Sequence, residues 1–166
     1  MLNDTLEFGV TSRNLPALGT EPYRGQQPWG MLVQQTAISG GTLVLTGNTA
    51  SWVLDAAKKL EALGKLPAGW DSYGGLPLDS NAKMLTVSVL GWLGRNDLPV
   101  PAVVLGSAGT VQLEWRAKGK ELEVELGKDN AVEFVKVYPN GDVEEGEEKA
   151  NLPQRLRGLT RWLLYD

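Results

Sequence analysis

The sequence predicts an α+β fold: one antiparallel sheet of about four to six strands packed by two or three helices. Three observations carry this. Apolar residues recur at helical spacing in two segments before residue 95 and again at the C-terminus. Between them, strict period-two alternation runs through TVQLEWRAKGKELEVEL, residues 110–126. Tight turn pairs separate the strands, so neighbours run antiparallel and the helices gather on one face of the sheet.

Taken in order, residues 1–30 hold Pro16, Gly19, Pro22, Gly25, Pro28 and Gly30 with little periodicity, and read as an irregular arm. Phe8, Tyr23 and Trp29 give that arm apolar groups with which to dock. Residues 31–166 read as a single α+β domain. MLVQQTAI (31–38) and TLVLT (42–46) flank SGG, a hairpin signal, because glycine supplies the positive φ of tight turns. NTASWVLDAAKKLEALG reads as a helix capped by Asn48 or Thr49. Val53, Ala57 and Leu60 form its face, and Gly64 stands at a left-handed C-cap. Asp79 or Ser80 caps a second helix in which Leu85, Val89 and Trp92 form one face. Val87, Leu90 and Leu93 widen that face, so this helix is expected to be buried on more than one side.

PAVVLGS reads as a short apolar strand. The next two strands turn at Lys118-Gly119, which sets Trp115 against Leu122, Leu113 against Val124 and Val111 against Leu126. AVEFVKVYP and DVEEGEE form another hairpin around Asn140-Gly141. There Phe134 and Val135 are both apolar, which a bulge or a strand covered on both faces would explain. NLPQRLRGLTRWLLYD closes the chain as a helix with Pro153 in its first turn and Leu152, Leu156, Leu159 and Leu163 on one face.

Composition narrows the chemistry. The chain has 166 residues, 42% hydrophobic and 22% charged, with a formal net charge of -4. That balance argues against nucleic-acid binding, which favours basic surfaces. No apolar run approaches the roughly 20 residues of a membrane span. No secretory signal opens the chain, and a cytoplasmic location is expected. There is no cysteine and no histidine, which removes thiolate and imidazole nucleophiles, bases and the usual zinc ligands. Carboxylate, lysine, tyrosine or Mg²⁺/Ca²⁺ chemistry remains, and no cofactor is expected.

Four sets of residues could carry function. The same register places Gln112, Glu114, Glu123 and Glu125 on the solvent face, with Glu114 opposite Glu123. This is either a solvated face that deters strand-on-strand aggregation or a negative surface for a basic protein partner. PNGDVEEGEE offers oxygen ligands at Asn140, Asp142 and Glu144. It fails as a calcium loop because Gly146 is one residue late and Asn151 takes the place of the closing glutamate. Arg155, Arg157 and Arg161 on the last helix could bind phosphate, complement the helix dipole near its C-terminus or pair with the acidic strands. In GWDSYGG, Asp71 can close an Asx-type turn, Trp70 and Tyr73 can pack their rings on the core with a polar edge outward, and Gly69, Gly74 and Gly75 permit positive φ. No phosphate-loop lysine follows.

LPAGWDSYGG followed by a helix, then GTVQLEW and ELEVEL, resembles a widespread uncharacterised family of small bacterial proteins. That family shares a G-W-D-[SG]-Y-G motif and a later G-G-x-Q-L-E-W motif. The resemblance spans about residues 60–148. It implies a bacterial or phage source and, by type, a partner-binding role such as an antitoxin-like, defence or anti-defence factor. Family members often carry histidine after the E-W pair, where this chain has Arg116.

The expected function is therefore protein binding through Trp70, Asp71 and Tyr73 together with Gln112, Glu114, Glu123 and Glu125. A second copy could pair through the N-terminal hairpin. The rival expectations are a histidine-free hydrolase or lyase using Asp71 and Glu114, and a nucleic-acid accessory protein using the arginines.

Overall fold

The computed structural model describes residues 33–38, 41–46, 50–94, 97–127 and 129–166. The chain divides into two units, 1–31 and 32–166, and every described residue belongs to the second. The expected arm and the expected caps Asn48 and Thr49 lie outside the described residues. The elements are β1 (Val33–Ile38), β2 (Gly41–Thr46), α1 (Trp52–Leu63), α2 (Ser80–Leu93), β3 (Ala102–Leu105), β4 (Val111–Ala117), β5 (Lys120–Leu126), β6 (Val132–Val137), β7 (Val143–Glu148) and α3 (Leu152–Tyr165). β1 and β2 form the expected hairpin, from Val33 opposite Thr46 to Ile38 opposite Gly41. β3 to β7 form one antiparallel five-stranded sheet in chain order. The fold is α+β. Among the described residues no helix is long and apolar enough to cross a membrane.

Lys118 (φ 53°) and Gly119 (φ 75°) turn β4 into β5 with both central residues at positive φ, the geometry that matches strand twist. The register follows as expected, from Ala117 opposite Lys120 to Val111 opposite Leu126. Val111, Leu113, Trp115, Leu122, Val124 and Leu126 therefore share one face, and each is at most 1% exposed. Helix residues Val53, Leu60, Val89, Leu90, Leu93, Leu156 and Leu163 close the core over that face. Burying each large side chain contributes about 1.5–3 kcal/mol. The Trp115 indole N–H donates to the Pro99 carbonyl at 3.0 Å, so its one polar group is satisfied.

α2 starts as expected: the Asp79 carboxylate accepts the backbone N–H groups of Asn81 (2.8 Å) and Ala82 (3.2 Å). It is buried through Ala82, Leu85, Thr86, Val89, Leu90 and Leu93, while Val87 and Trp92 are half-buried. α1 departs from expectation at its C-terminus. Gly64 is right-handed (φ -65°), because the chain leaves the helix through further right-handed turns in which Lys65 N–H donates to Ala62 O and Leu66 N–H to Leu63 O. The left-handed reversal comes only at Gly69 (φ 77°).

β6 contains no bulge, since its pairing with both β5 and β7 is uninterrupted. Phe134 points into the core and Val135 points outward, half-buried between Glu123 and Glu145. Phe134 lies opposite Gly146. A Cβ at Gly146 would come within 2.5 Å of the Phe134 ring, so the ring occupies the space a side chain would need.

Of the roles expected for the final arginines, pairing with the acidic strands is seen at Arg155, whereas complementing the helix dipole is not. No basic residue lies in the last turn of α3. Its terminal carbonyls are instead satisfied from the sheet: the Lys118 ammonium donates to Leu164 O, and that of buried Lys120 to Trp162 O at 2.9 Å. Arg155 lies in the first turn, where it pairs with Glu148 at 2.7 Å and lies over the Phe134 ring.

Gly146→Ala is expected to destabilise the fold by about 1–3 kcal/mol, because the Phe134 ring must leave its position. Urea denaturation of Gly146→Ala measures this. The loss should shrink in a Phe134→Leu background if the ring contact is its source.

Candidate functional site

The GWDSYGG corner joins α1 to α2. The Asp71 Oδ1 accepts the backbone N–H of Tyr73 at 2.9 Å, the expected Asx-type turn, and also that of Gly75 at 2.8 Å. Gly69 N–H donates to Gly75 O at 2.7 Å and Ser72 N–H to Gly69 O at 2.9 Å. The Trp70 indole N–H donates to Leu76 O at 3.1 Å, so its polar edge is used within the corner. Gly69 and Gly74 have positive φ, but Gly75 does not. Its requirement is space, since a Cβ there would lie 2.8 Å from the Asp71 carboxylate and the Trp70 indole nitrogen. The gly-rich corner is thus a closed ring of hydrogen bonds.

Tyr73 departs from expectation: it is 94% exposed and does not pack on the core. It stands between Ser72 (φ 66°) and Gly74 (φ 92°), so the backbone turns on both sides of it and carries the ring to the tip of the loop. The corner is fastened to the β3–β4 turn through Leu76 N–H to Ser107 O (2.8 Å) and Asp79 N–H to Gly109 O (2.9 Å). At Gly109 (φ 80°) a Cβ would meet the Pro77 carbonyl at 2.5 Å, so only glycine allows this join.

On the sheet face opposite the helices, the expected set appears and is enlarged. Glu114 lies opposite Glu123, and Gln112 opposite Glu125. The rows continue across the sheet: Gln112, Glu125, Glu133 and Glu147 follow one another on β4 to β7, and Glu114, Glu123, Val135 and Glu145 form the next row. Glu133, Glu145 and Glu147 lie outside the set expected from sequence. Extending the β4–β5 register across β5–β6, and the Asn140-Gly141 turn across β6–β7, would have found them. With Glu121 opposite Arg116, the face carries Glu114, Glu121, Glu123, Glu125, Glu133, Glu145 and Glu147. Arg116 pairs with Glu121 at 3.3 Å and Lys149 with Glu147 at 2.7 Å, both in exposed settings that contribute little.

Glu114–Glu123, Glu125–Glu133 and Glu133–Glu147 are directly opposed like charges, each costing a few tenths to about 1 kcal/mol. One contact softens this: the Gln112 carboxamide donates to Glu123 at 2.9 Å. The depression among Gln112, Glu123, Glu125 and Glu133 holds about 60 Å³, room for about two waters. Among the described residues no three acidic side chains converge on a point that could hold a metal ion. Strands about 4.8 Å apart stand their side chains in parallel instead of wrapping them around a cation.

The corner is bonded to the β3–β4 turn, and the Gln112 row is the first outward-facing row beyond that turn. Glu114 lies a further two residues, about 7 Å, along β4. No described hydrogen bond joins Asp71 to Glu114; the Asp71 carboxylate is engaged by its own loop. In the would-be calcium loop, Asn140 donates to Asp142 and accepts its backbone N–H, while Glu144 accepts from Lys136 and Tyr138. Those oxygens are committed to the fold.

No family model matches the chain, and no curated protein or solved structure matches it.

The Gly75 and Tyr73 backbone N–H groups hold the Asp71 carboxyl below the usual aspartate range. Its stabilising bonds are therefore complete above the ordinary aspartate pKa and are lost as pH falls through the lowered value. NMR titration of the Tyr73 and Gly75 amides should show a midpoint below that of an exposed aspartate, and Asp71→Asn should abolish the transition.

Proposed function

We propose that this protein is a binding component that holds a basic partner protein against the outer face of its sheet, with the Trp70–Tyr73 corner at the rim. The observation that carries the reading is the accumulation of like charge in register across four neighbouring strands, at a cost to the fold. Solubility needs dispersed charge, not glutamates placed directly opposite one another. A cationic partner turns that repulsion into attraction and raises the association rate.

The face also has apolar content. Val143 is 57% exposed and lies opposite half-buried Val137, beside the Glu145 row. Tyr73, almost fully exposed on a rigid loop, is a suitable aromatic anchor. Partners whose own surface is built to bind phosphates, such as basic nucleases or nucleic-acid-binding effectors, fit this arrangement. That is the chemistry an antitoxin-like, defence or anti-defence factor would meet. A cytoplasmic setting and kinship with small bacterial proteins sharing the GWDSYG and QLEW motifs belong to the same proposal. Pairing of two copies through β1–β2 has no supporting contact and is not part of it.

Glu133→Lys is expected to stabilise the fold by up to about 1 kcal/mol, since it places a cation between Glu125 and Glu147. Together with Glu123→Lys it should weaken partner binding by roughly tenfold or more and flatten its salt dependence. Co-purification from the native host with the wild-type chain, this double variant and an Asp55→Lys control on the exposed side of α1 tests the reading. Equal recovery of a basic protein by all three ends it.

A further inference from the structure

A second feature lies away from the acidic face, between the C-terminal end of α2 and α3. There an open groove of about 580 Å³ has a floor of Leu93, Leu98 and Leu164. Arg157 and Arg161 line it. They are four residues apart, which puts their Cβ atoms about 5–6 Å from each other on one side of the helix. Neither guanidinium has an ion-pair or hydrogen-bond partner among the described residues. Arg155, by contrast, is committed to Glu148 and to the Phe134 ring. Asp97, the carboxylate in the lining, accepts the Tyr165 hydroxyl at 3.1 Å.

We propose that this groove binds a small amphipathic anion, a carboxylate or phosphate monoester with a short apolar body. Arg157 and Arg161 converge on its charged head, and guanidinium forks suit the planar or tetrahedral oxygens of such groups. The apolar body lies along the leucine floor, with the exposed Tyr165 ring at its side. The volume falls within the range of small-molecule sites. The rest of the molecule favours this assignment by contrast: the net charge is -4 and the outer sheet face repels anions, so two cations with no ion-pair partner among the described residues, beside apolar surface and outnumbering the one carboxylate of the lining, mark the place where an anion is accepted. This proposal stands independently of the reading of the acidic face.

The test is an NMR titration of the full chain with decanoate and with phenyl phosphate, alongside inorganic phosphate and decyltrimethylammonium. Either amphipathic anion should give saturable shifts at Thr160, Arg161, Leu164 and Tyr165. Arg157→Gln/Arg161→Gln should weaken that binding about tenfold or more while leaving the melting temperature near that of the wild type. Preference for decanoate assigns an aliphatic carboxylate, and preference for phenyl phosphate an aromatic phosphate. The proposal is overturned if neither anion saturates these amides, if inorganic phosphate binds as tightly, if decyltrimethylammonium shifts the same amides, or if the double variant binds as the wild type does.

Discussion

The register of the β4–β5 hairpin is the constraint on which the remainder depends. Side chains alternate with a period of two, so a slip of one residue would turn Trp115, Leu113 and Val111 outward and bring Glu114 and Gln112 into the core. The Lys118-Gly119 turn forbids that slip by holding two consecutive residues at positive φ. The same turn also fastens the last helix. Lys118 lies in it and Lys120 follows it, and both reach carbonyls at the C-terminal end of α3. One local decision thus selects the buried face, the acidic face and the position at which α3 closes the core.

That closure is completed by a polar box around Trp162. Lys120 and Lys136 lie over its ring at 5.3 and 5.1 Å from the centroid, and Tyr138 meets it edge-on at 5.1 Å. Lys136 in turn pairs with Glu144 at 3.0 Å, and the Tyr138 hydroxyl donates to Glu144 at 2.7 Å. The Tyr138 hydroxyl, and then Lys136, hold the Glu144 carboxyl below the usual glutamate range, while Glu144 pushes the Tyr138 hydroxyl up. The Glu144 contribution is complete above the ordinary glutamate pKa and fades as pH falls through its lowered value. The Tyr138 contribution is complete below the ordinary tyrosine pKa and fades as pH rises through its raised value. The box therefore remains whole across the entire neutral range, which is what a structural junction requires and a pH switch would not.

Where the sequence was legible, a local rule and the global fold agreed. The β4–β5 pairing, the Asp79 cap and the leucine face of α3 follow from turn chemistry, capping and periodicity, and each appears as expected. The misses arose where a distant element supplied what a local rule assigned to a neighbour. The α3 dipole is complemented by lysines more than forty residues away in sequence and not by its own arginines. The left-handed reversal that a local rule places at Gly64 occurs at Gly69. Of the two explanations for the apolar pair Phe134-Val135, a bulge or a strand covered on both faces, the bulge is absent: regular pairing accommodates both residues because Gly146 makes room for the ring, and Val135 is half-buried on the outer face. The enlarged acidic face needed two registers combined, and no single segment displays it.

The acidic sheet face and the arginine pair of α3 lie on different layers, and this asymmetry constrains pairing through the described surfaces. Seven glutamates on the outer sheet face oppose any flat face-to-face pairing of copies, because each would set carboxylate against carboxylate. The arginine pair on α3 is too small to neutralise that face in a second copy, with two cations against a surplus that the nearby Arg116 and Lys149 already fail to balance. Stacking of the open β7 edge is disfavoured for the same reason, since Glu145 and Glu147 project from that strand and charge on an edge strand deters pairing. Like charge on the sheet face thus disfavours pairing of copies through that face. In the proposed binding role, a surface that repels its own copies and attracts a cationic partner would be specific by exclusion, and the exclusion would come from the very opposed pairs that lower the stability of the fold.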